Sequence, residues 1–363
     1  MSPPSIFNHQ PRRVGATVQE RINALGIGQK MQDLPEHLWH ESFRFYVKED
    51  PTREGGPNLR MIRLDPEKPS LTVTAYIFNK FVHPYEDRFI TPREAARLQG
   101  FPDEIEFKGS LTSAQMQVGN AVPVPLGKAV FQSILEHATE TFPMESKFNA
   151  LSLFSGAGGL DIAARQASNA DKKFHTFACV EIDSDCCKTL GGYLGKDTRI
   201  LQQDISTITD PIKFLEACGI SAQEISVIYG GPPCQAFSQA GKQKGVEDPR
   251  GQMIDEFLRF VEAIRPRYFL MENVKGLKGI GKGKLMAEVI HTMESLGYHV
   301  TYDLLNAADF GAAQLRKRLI FVGTRTDVGK VALPLPTHSP TPDLFTPYLY
   351  TTVGEAFAEI PAC

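Results

Sequence analysis

Two regimes of hydrophobic patterning divide the chain. From Ala150 onward, short apolar runs at residues 150–154, 175–181, 226–229, 267–272, 298–305 and 318–323 alternate with helical stretches. Apolar runs of that length, separated by amphipathic segments, predict a doubly wound α/β domain with a mostly parallel sheet. Before Ala150 that rhythm is missing. A helical pattern over Thr17–Leu25 ends at Gly26 and Gly28. Residues 33–60 set Trp39, Phe43, Phe45 and Tyr46 among charges and read as irregular, with core filling the favoured role for Trp39. Leu71–Tyr76 alternates like a strand. Thr91-Pro92-Arg93-Glu94 predicts a helix start, with Thr as cap, Pro at the first turn and Glu reaching back. That helix runs through Leu98 and stops at Gly100. Gln117–Pro123 reads as a loop or turn leading into a helix over Pro125–His137, and polar residues 138–148 read as a linker. Past Val331 proline returns, followed by a short helix near Val353–Phe357.

A length of 363 residues suits two domains, or one large domain with a satellite. The net charge of -3 excludes a globally basic nucleic-acid coat but leaves a local basic face open. The six cysteines show no C-x-x-C spacing, which argues against a zinc site, and no metal is implied. Without a signal peptide or an apolar run of membrane length, a reducing cytosol is the expected compartment.

The chemistry concentrates at predicted strand ends. Ile225–Tyr229 is a short β-branched run that Gly230-Gly231-Pro232-Pro233 stops sharply, so Cys234 is carried on a stiff turn at the carboxyl edge of the sheet. Leu153–Asp161 follows another strand, and its glycines let backbone approach a ligand closely. Glu181 ends the next strand, where a carboxylate suits a ribose diol, and Asp204 follows Arg199-Ile200-Leu201 at a place suited to a base amino group. Singly, each carboxylate reads equally well as a solvated loop residue. Three consecutive strand ends of fitting chemistry favour a nucleoside-bearing cofactor. Glu272, beside Asn273 at the end of Tyr268–Met271, is placed to be held protonated by partial burial, although alone it would read as a surface carboxylate. Alternation sends Gln314, Arg316 and Arg318 to one face, where arginine clamps an anion or merely blunts a sheet edge. The loop 238–251 carries Lys242, Arg250 and three glycines, and reads as a phosphate-covering loop or an ordinary surface loop.

Together Phe154–Asp161, Gly230–Gln235, Glu272-Asn273-Val274, Gln314–Arg318 and Gln117–Val122 resemble the DNA (cytosine-5) methyltransferase family, over most of the chain. Thr91–Pro102 resembles the family's stretch before its last motif. The order departs from the family's usual one, because the Gly-Asn-Ala-Val block at Gln117–Val122 precedes the glycine-rich block. The chain therefore looks circularly permuted, which predicts that Asn120 and Val122 sit beside Phe154–Gly158. The resemblance implies a small, short target-recognition domain at 1–92 and a segment at 93–137 completing the catalytic domain. It further implies a linker at 138–148, a Rossmann-like S-adenosylmethionine-binding domain at 149–330 and a segment at 331–363 leading toward the recognition region. It implies catalysis by Cys234, Glu272 and Arg316, with the cysteine sulfur adding to C6 of a flipped-out cytosine. It implies cofactor binding by Phe154, Gly156, Gly158, Leu160, Glu181, Ile182, Asp204, Ile205, Pro232, Asn120 and Val122. Substrate contacts fall to Gln235, Ser238, Asn273, Gln314, Arg318, Lys242 and Arg250. Double-stranded DNA is the implied partner, in a restriction–modification setting of a bacterial or phage cytoplasm. The recognition region is short, so either it is compact or a separate chain supplies more of it; otherwise a monomer is expected. An RNA-directed relative acting on tRNA and a catalytically silent DNA-binding scaffold remain the rival readings.

Overall fold

The computed structural model describes residues 6–41, 43–44, 61–75, 80–233, 252–361 and 363. Cys234, Gln235, Ser238, Lys242, Arg250 and Tyr76 lie outside the described residues.

Seven strands form the main sheet: β1 (Lys147–Leu153), β2 (Lys173–Glu181), β3 (Arg199–Gln202), β4 (Ile225–Gly230), β5 (Tyr268–Val274), β6 (Tyr298–Asn306) and β7 (Lys317–Arg325). Their order is β3-β2-β1-β4-β5-β7-β6, with β7 antiparallel to both of its neighbours. The inner strands β4, β5 and β7 are apolar on both faces because both faces are covered, whereas the edge strands β3 and β6 are largely polar and part-exposed. In β5, Tyr268 and Leu270 join one core while Phe269 and Met271 join the other.

The helices are α1 (Ala16–Ala24), α2 (Pro92–Leu98), α3 (Leu111–Asn120), α4 (Val124–Thr141), α5 (Gly159–Ala167), α6 (Ser184–Tyr193), α7 (Pro211–Ala217), α8 (Gln252–Ile264), α9 (Lys284–Ser295) and α10 (Val353–Phe357). Phe131, Ile134 and Val130 of α4 and Ala163 of α5 fill the first core. Phe257 and Val261 of α8, Leu215 of α7 and Met293 of α9 fill the second. A third, smaller core gathers Ile22, Leu25, Met31, Leu34, Leu38, Met61, Val82 and Phe89, with Trp39 packed against it. Trp39 donates its indole N–H to the Leu34 carbonyl at 2.7 Å, the pairing a half-buried indole needs. No helix among the described residues is long and apolar enough to cross a membrane.

The α2 start follows the sequence reading: Thr91 accepts from the Glu94 N–H and the Glu94 carboxylate accepts from the Thr91 N–H. Three expectations are corrected. Gln117–Asn120 is helical, the last turn of α3, so the turn is only Ala121–Pro123. The following helix runs on to Thr141 and β1 begins at Lys147, which shortens the linker to residues 142–146. Of the expected strand Leu71–Tyr76, the described residues 72–75 are not in a strand: only Ser70–Leu71 pairs there, with Gln314–Leu315. The Val73 N–H and carbonyl are taken by the side chains of Gln314 and Arg316 instead of a ladder.

Candidate active site

The order of the sheet reverses between β1 and β4, and the segments leaving their carboxyl ends are the glycine-rich turn and the Gly-Pro turn. Open α/β sheets bind ligands in that crevice. Gly230 is needed where it stands: a Cβ there would lie 2.1 Å from the Leu153 carbonyl oxygen. A Cβ on Gly231 would lie 3.0 Å from Glu272 Oε2, so the turn runs directly past that carboxylate. Asn273 Nδ2 donates to the Pro232 carbonyl at 3.2 Å and ties the turn to β5. The next described residue, Pro233, is exposed and carries the chain toward Cys234.

Glu272 is 8% exposed and faces Arg318, whose Nε lies 2.7 Å from Oε1. Burial raises its pKa, opposed by the cations of Arg318 and Arg316. A carboxyl in such a place can hold a proton and give it up to a hydrogen-bonded ring. The arginine at hand is Arg318, and this changes the roles expected of the basic motif. Arg316 stands between the Gln314–Leu315 pairing and β7, and burial still alternates as expected: Gln314 and Arg316 are buried and Arg318 is half-buried, while Leu315 and Lys317 are exposed. Arg316 is fully buried and donates to the carbonyls of Val73, Gly119 (2.9 Å) and Ala121 (3.0 Å). Its Nε finds no partner among the described residues, and burial lowers its pKa. Gln314 is also spent inside the protein: its Oε1 accepts from the Val73 N–H at 3.1 Å, and its Nε2 donates to the Leu98 carbonyl at 3.0 Å. The same Nε2 also donates to Gln99 Oε1 at 2.5 Å. These two side chains fasten the early segments to the sheet edge. A groove of about 790 Å³ opens beside Arg318, lined by Thr72, Val274, Lys275, Asn306, Leu315 and Lys317.

The second half of the site is a cradle at the ends of β1, β2 and β3. Phe154, Gly156 and Gly158 take φ of 52°, 54° and 79°. A Cβ on Gly156 would meet nothing within 4 Å, so open space stands over the turn. Glu181 Oε2 accepts from the Gly156 N–H at 2.7 Å and Oε1 from the Asp183 N–H at 2.9 Å. Ile182 beside it is 62% exposed, a flat apolar surface at the strand end. Asp204 is half-buried and accepts from the Ser206 N–H at 3.0 Å. An open glycine turn, a carboxylate, an exposed aliphatic face and a second carboxylate fit a nucleoside with a diol, a ring and an amino group. Leu160 and Ile205 are buried in the cores and support the cradle from beneath rather than lining it. Val122 is buried, and a Cβ on Gly159 would lie 2.5 Å from its carbonyl oxygen, so this block does reach the glycine-rich turn, one residue beyond the expected stretch. Asn120 is exposed at the end of α3.

Sequence reasoning passed over Asp161, which the structure makes a hub. It is 1% exposed and accepts from Tyr229 Oη (2.9 Å), Ser152 Oγ (3.2 Å) and Cys179 Sγ (3.3 Å). Ser152 in turn meets Ser155 of the turn at 2.8 Å. The available signal was an acidic residue on the apolar face of a short helix, where it must find donors.

Sheet order, the antiparallel β7 and the cradle define the class: this is the doubly wound fold of S-adenosylmethionine-dependent methyltransferases. The chain belongs to the C-5 cytosine-specific DNA methylase family, whose model matches residues 8–136 and 148–360. Membership makes it a DNA (cytosine-5) methyltransferase by class. Type II methyltransferase M.AquIA of Picosynechococcus sp. is 43% identical over 234 residues, 60% of this chain and 90% of that protein. Type II methyltransferase M1.HphI of Haemophilus parahaemolyticus is 39% identical over 213 residues, 58% of this chain and 52% of that one. The match thus spans most of the first relative but about half of the second. Among solved structures, a candidate DNA modification methyltransferase encoded within an E. coli prophage is 26% identical at a TM-score of 0.47, covering 60% and 56% of the two chains.

Proposed function

We propose that the chain methylates C5 of a flipped-out cytosine in duplex DNA through a transient bond from Cys234 to C6, in a restriction–modification setting. The observation that carries this is the buried Glu272, held against the Gly231–Pro232 turn and paired with Arg318. Cytosine C5 is a poor nucleophile. When the Cys234 thiolate adds to C6, electrons move toward N3 and the ring becomes an enamine with a nucleophilic C5. Protonated Glu272 donates to N3 and stabilises that adduct. Arg318, rather than Arg316, holds the ring O2 and orients Glu272. Asn273 fixes the turn that aims the sulfur. Glu181, Ile182 and Asp204 hold S-adenosylmethionine over the Gly156 turn, which when bound offers an electrophilic methyl group. Bound there it would supply its methyl group to C5 and depart as the neutral thioether; a base would then remove the C5 proton, the Cys234 thiolate would leave C6 as the C5–C6 double bond re-forms, and N3 would return its proton to Glu272. The sulfur reaches C6 only if the base leaves the stack, so base flipping is part of the reading.

The reading includes a circular permutation. Two contacts support it: Val122 against Gly159, and His9 Nε2 at 2.8 Å from the Pro361 carbonyl. A chain joined at the second place and opened at 142–146 would carry its motifs in the family's usual order. The small core around Ile22, Leu34 and Phe89 is the proposed body of target recognition. The test is bisulfite sequencing of plasmid DNA from cells expressing this chain alone. A protected cytosine in one fixed sequence context is expected. Full conversion at every cytosine contradicts a self-sufficient DNA methyltransferase.

A further inference from the structure

Directly after the Glu272-Asn273-Val274 strand end, residues 275–284 carry Lys275, Lys278, Lys282 and Lys284 and no acidic residue; the next is Glu288. In a chain of net charge -3 this is a local reversal. All four lysines are exposed, and no ion pair among the described residues engages any of them. The segment is nonetheless fixed in place. Leu277 is fully buried, and Ile280 packs on the same core as β5 and α9. Gly281, Lys282 and Gly283 follow one another with φ of 57°, 56° and 89°. That turn holds a lysine in a left-handed conformation that side chains rarely adopt, between two glycines that leave the backbone bare. The strip is also continuous with the active site, because Lys275 and Gly276 line the same groove as Lys317 and Arg318.

We infer that residues 275–284 form a phosphate-backbone contact strip that seats duplex DNA beside the Glu272–Arg318 pair, independent of base sequence. The inference rests on the proposed reading that the substrate is duplex DNA. A row of unpaired lysines on a pinned, glycine-rich frame suits a polyanion with regularly spaced charges. It gives no base readout, so it contributes register and affinity while recognition is made elsewhere.

Fluorescence anisotropy of the full chain on a labelled duplex of random sequence, titrated with NaCl, tests this. Each phosphate contact adds about 0.9 to the slope of log affinity against log salt. The Lys278→Ala/Lys282→Ala double variant is expected to lower that slope by about 1.8, making the affinity loss between 50 and 200 mM salt about tenfold smaller. Lys278→Arg/Lys282→Arg should keep the parent slope. Lys147→Ala/Lys330→Ala removes the same charge from the opposite edge of the sheet and should also keep it. An unchanged slope in the first variant, or an equal fall in the distant one, overturns the proposal. So does a fall seen on duplex RNA but not on duplex DNA. Absence of plasmid methylation by the parent chain, with the slope effect intact, would fail the reading of activity instead, so the two failures are distinguishable.

Discussion

Gly158→Ala puts a methyl group where the fold has no room for it. The new Cβ would lie 1.6 Å from the Tyr193 hydroxyl, 2.7 Å from Leu190 Cδ2 and 3.0 Å from Tyr193 Cζ. Tyr193 cannot yield freely, because its hydroxyl donates to the carbonyls of Ala157 (3.1 Å) and Gly158 (3.3 Å). Two costs add. A left-handed φ of 79° at a residue with a Cβ costs about 1–2 kcal/mol. Overpacking costs about 1–3 kcal/mol more. The expected loss is therefore about 2–5 kcal/mol, a large fraction of ordinary domain stability. Tyr193→Phe alone loses about 1 kcal/mol, for hydrogen bonds whose acceptors remain. In the double variant the hydroxyl clash is gone while the backbone cost and the Leu190 contact persist. The cycle should then show a favourable coupling of about 1–2 kcal/mol. Urea unfolding of the four proteins measures it, and calorimetric titration with S-adenosylmethionine should show weaker binding to Gly158→Ala. Additivity within about 0.5 kcal/mol would refute the claim that this turn is shaped by Tyr193.

Other perturbations separate the roles in the site. Burial raises the Glu272 pKa from 4.5, so the folded state holds its proton over a window in which the unfolded chain has lost it. Stability contributed by that proton is lost as pH rises through the window, and Glu272→Gln should gain on the parent in urea midpoints from pH 4.5 upward. Protonated Glu272 is the donor in the proposed reaction, so turnover should fall at high pH. Arg318→Met should move that limb to higher pH, since it removes a cation that favours the ionised form; a downward move contradicts the pairing. Arg316→Met takes a donor from three buried carbonyls, of which Ala121 keeps the Gln99 amide at 3.4 Å, and should cost about 3–5 kcal/mol in unfolding experiments, whereas Arg318→Met should cost turnover first. Glu181→Ala should weaken S-adenosylmethionine binding about 10- to 100-fold in calorimetry, from the loss of charge-assisted hydrogen bonds of about 1.5–3 kcal/mol. Unchanged affinity removes its ribose role.

The middle of the catalytic sheet was legible because β1, β4 and β5 are buried on both faces and a glycine or carboxylate stands at or near their ends. Ile225–Gly230 and Tyr268–Val274 lie where their apolar runs placed them. Glu181 ends β2 as its run predicted, since a strand end at the crevice needs no tertiary knowledge to locate, whereas β5 runs on past Met271 to Val274 and keeps Glu272 inside it, paired with Ile320. Leu71–Tyr76 misled because its alternation is that of a strand while the backbone hydrogen bonds of Val73 go to the side chains of Gln314 and Arg316 from far along the chain. For the same reason Arg316 and Arg318 could not be ranked from spacing alone. Both point to one face, and only tertiary packing gives one backbone carbonyls and the other Glu272 as partners. Asp161 escaped notice because its donors, Ser152, Cys179 and Tyr229, come from three different strands.

The central claim is that the sulfur of Cys234 bonds to the pyrimidine ring. DNA amplified with 5-fluorocytosine in place of cytosine reads it directly, because fluorine at C5 blocks proton removal and strands the adduct. Incubated with S-adenosylmethionine and denatured, the parent protein should remain attached to this DNA, with mass spectrometry locating the linkage at Cys234 and Cys234→Ala forming none. A complex that falls apart on denaturation, or one linked through a different residue, would contradict the account.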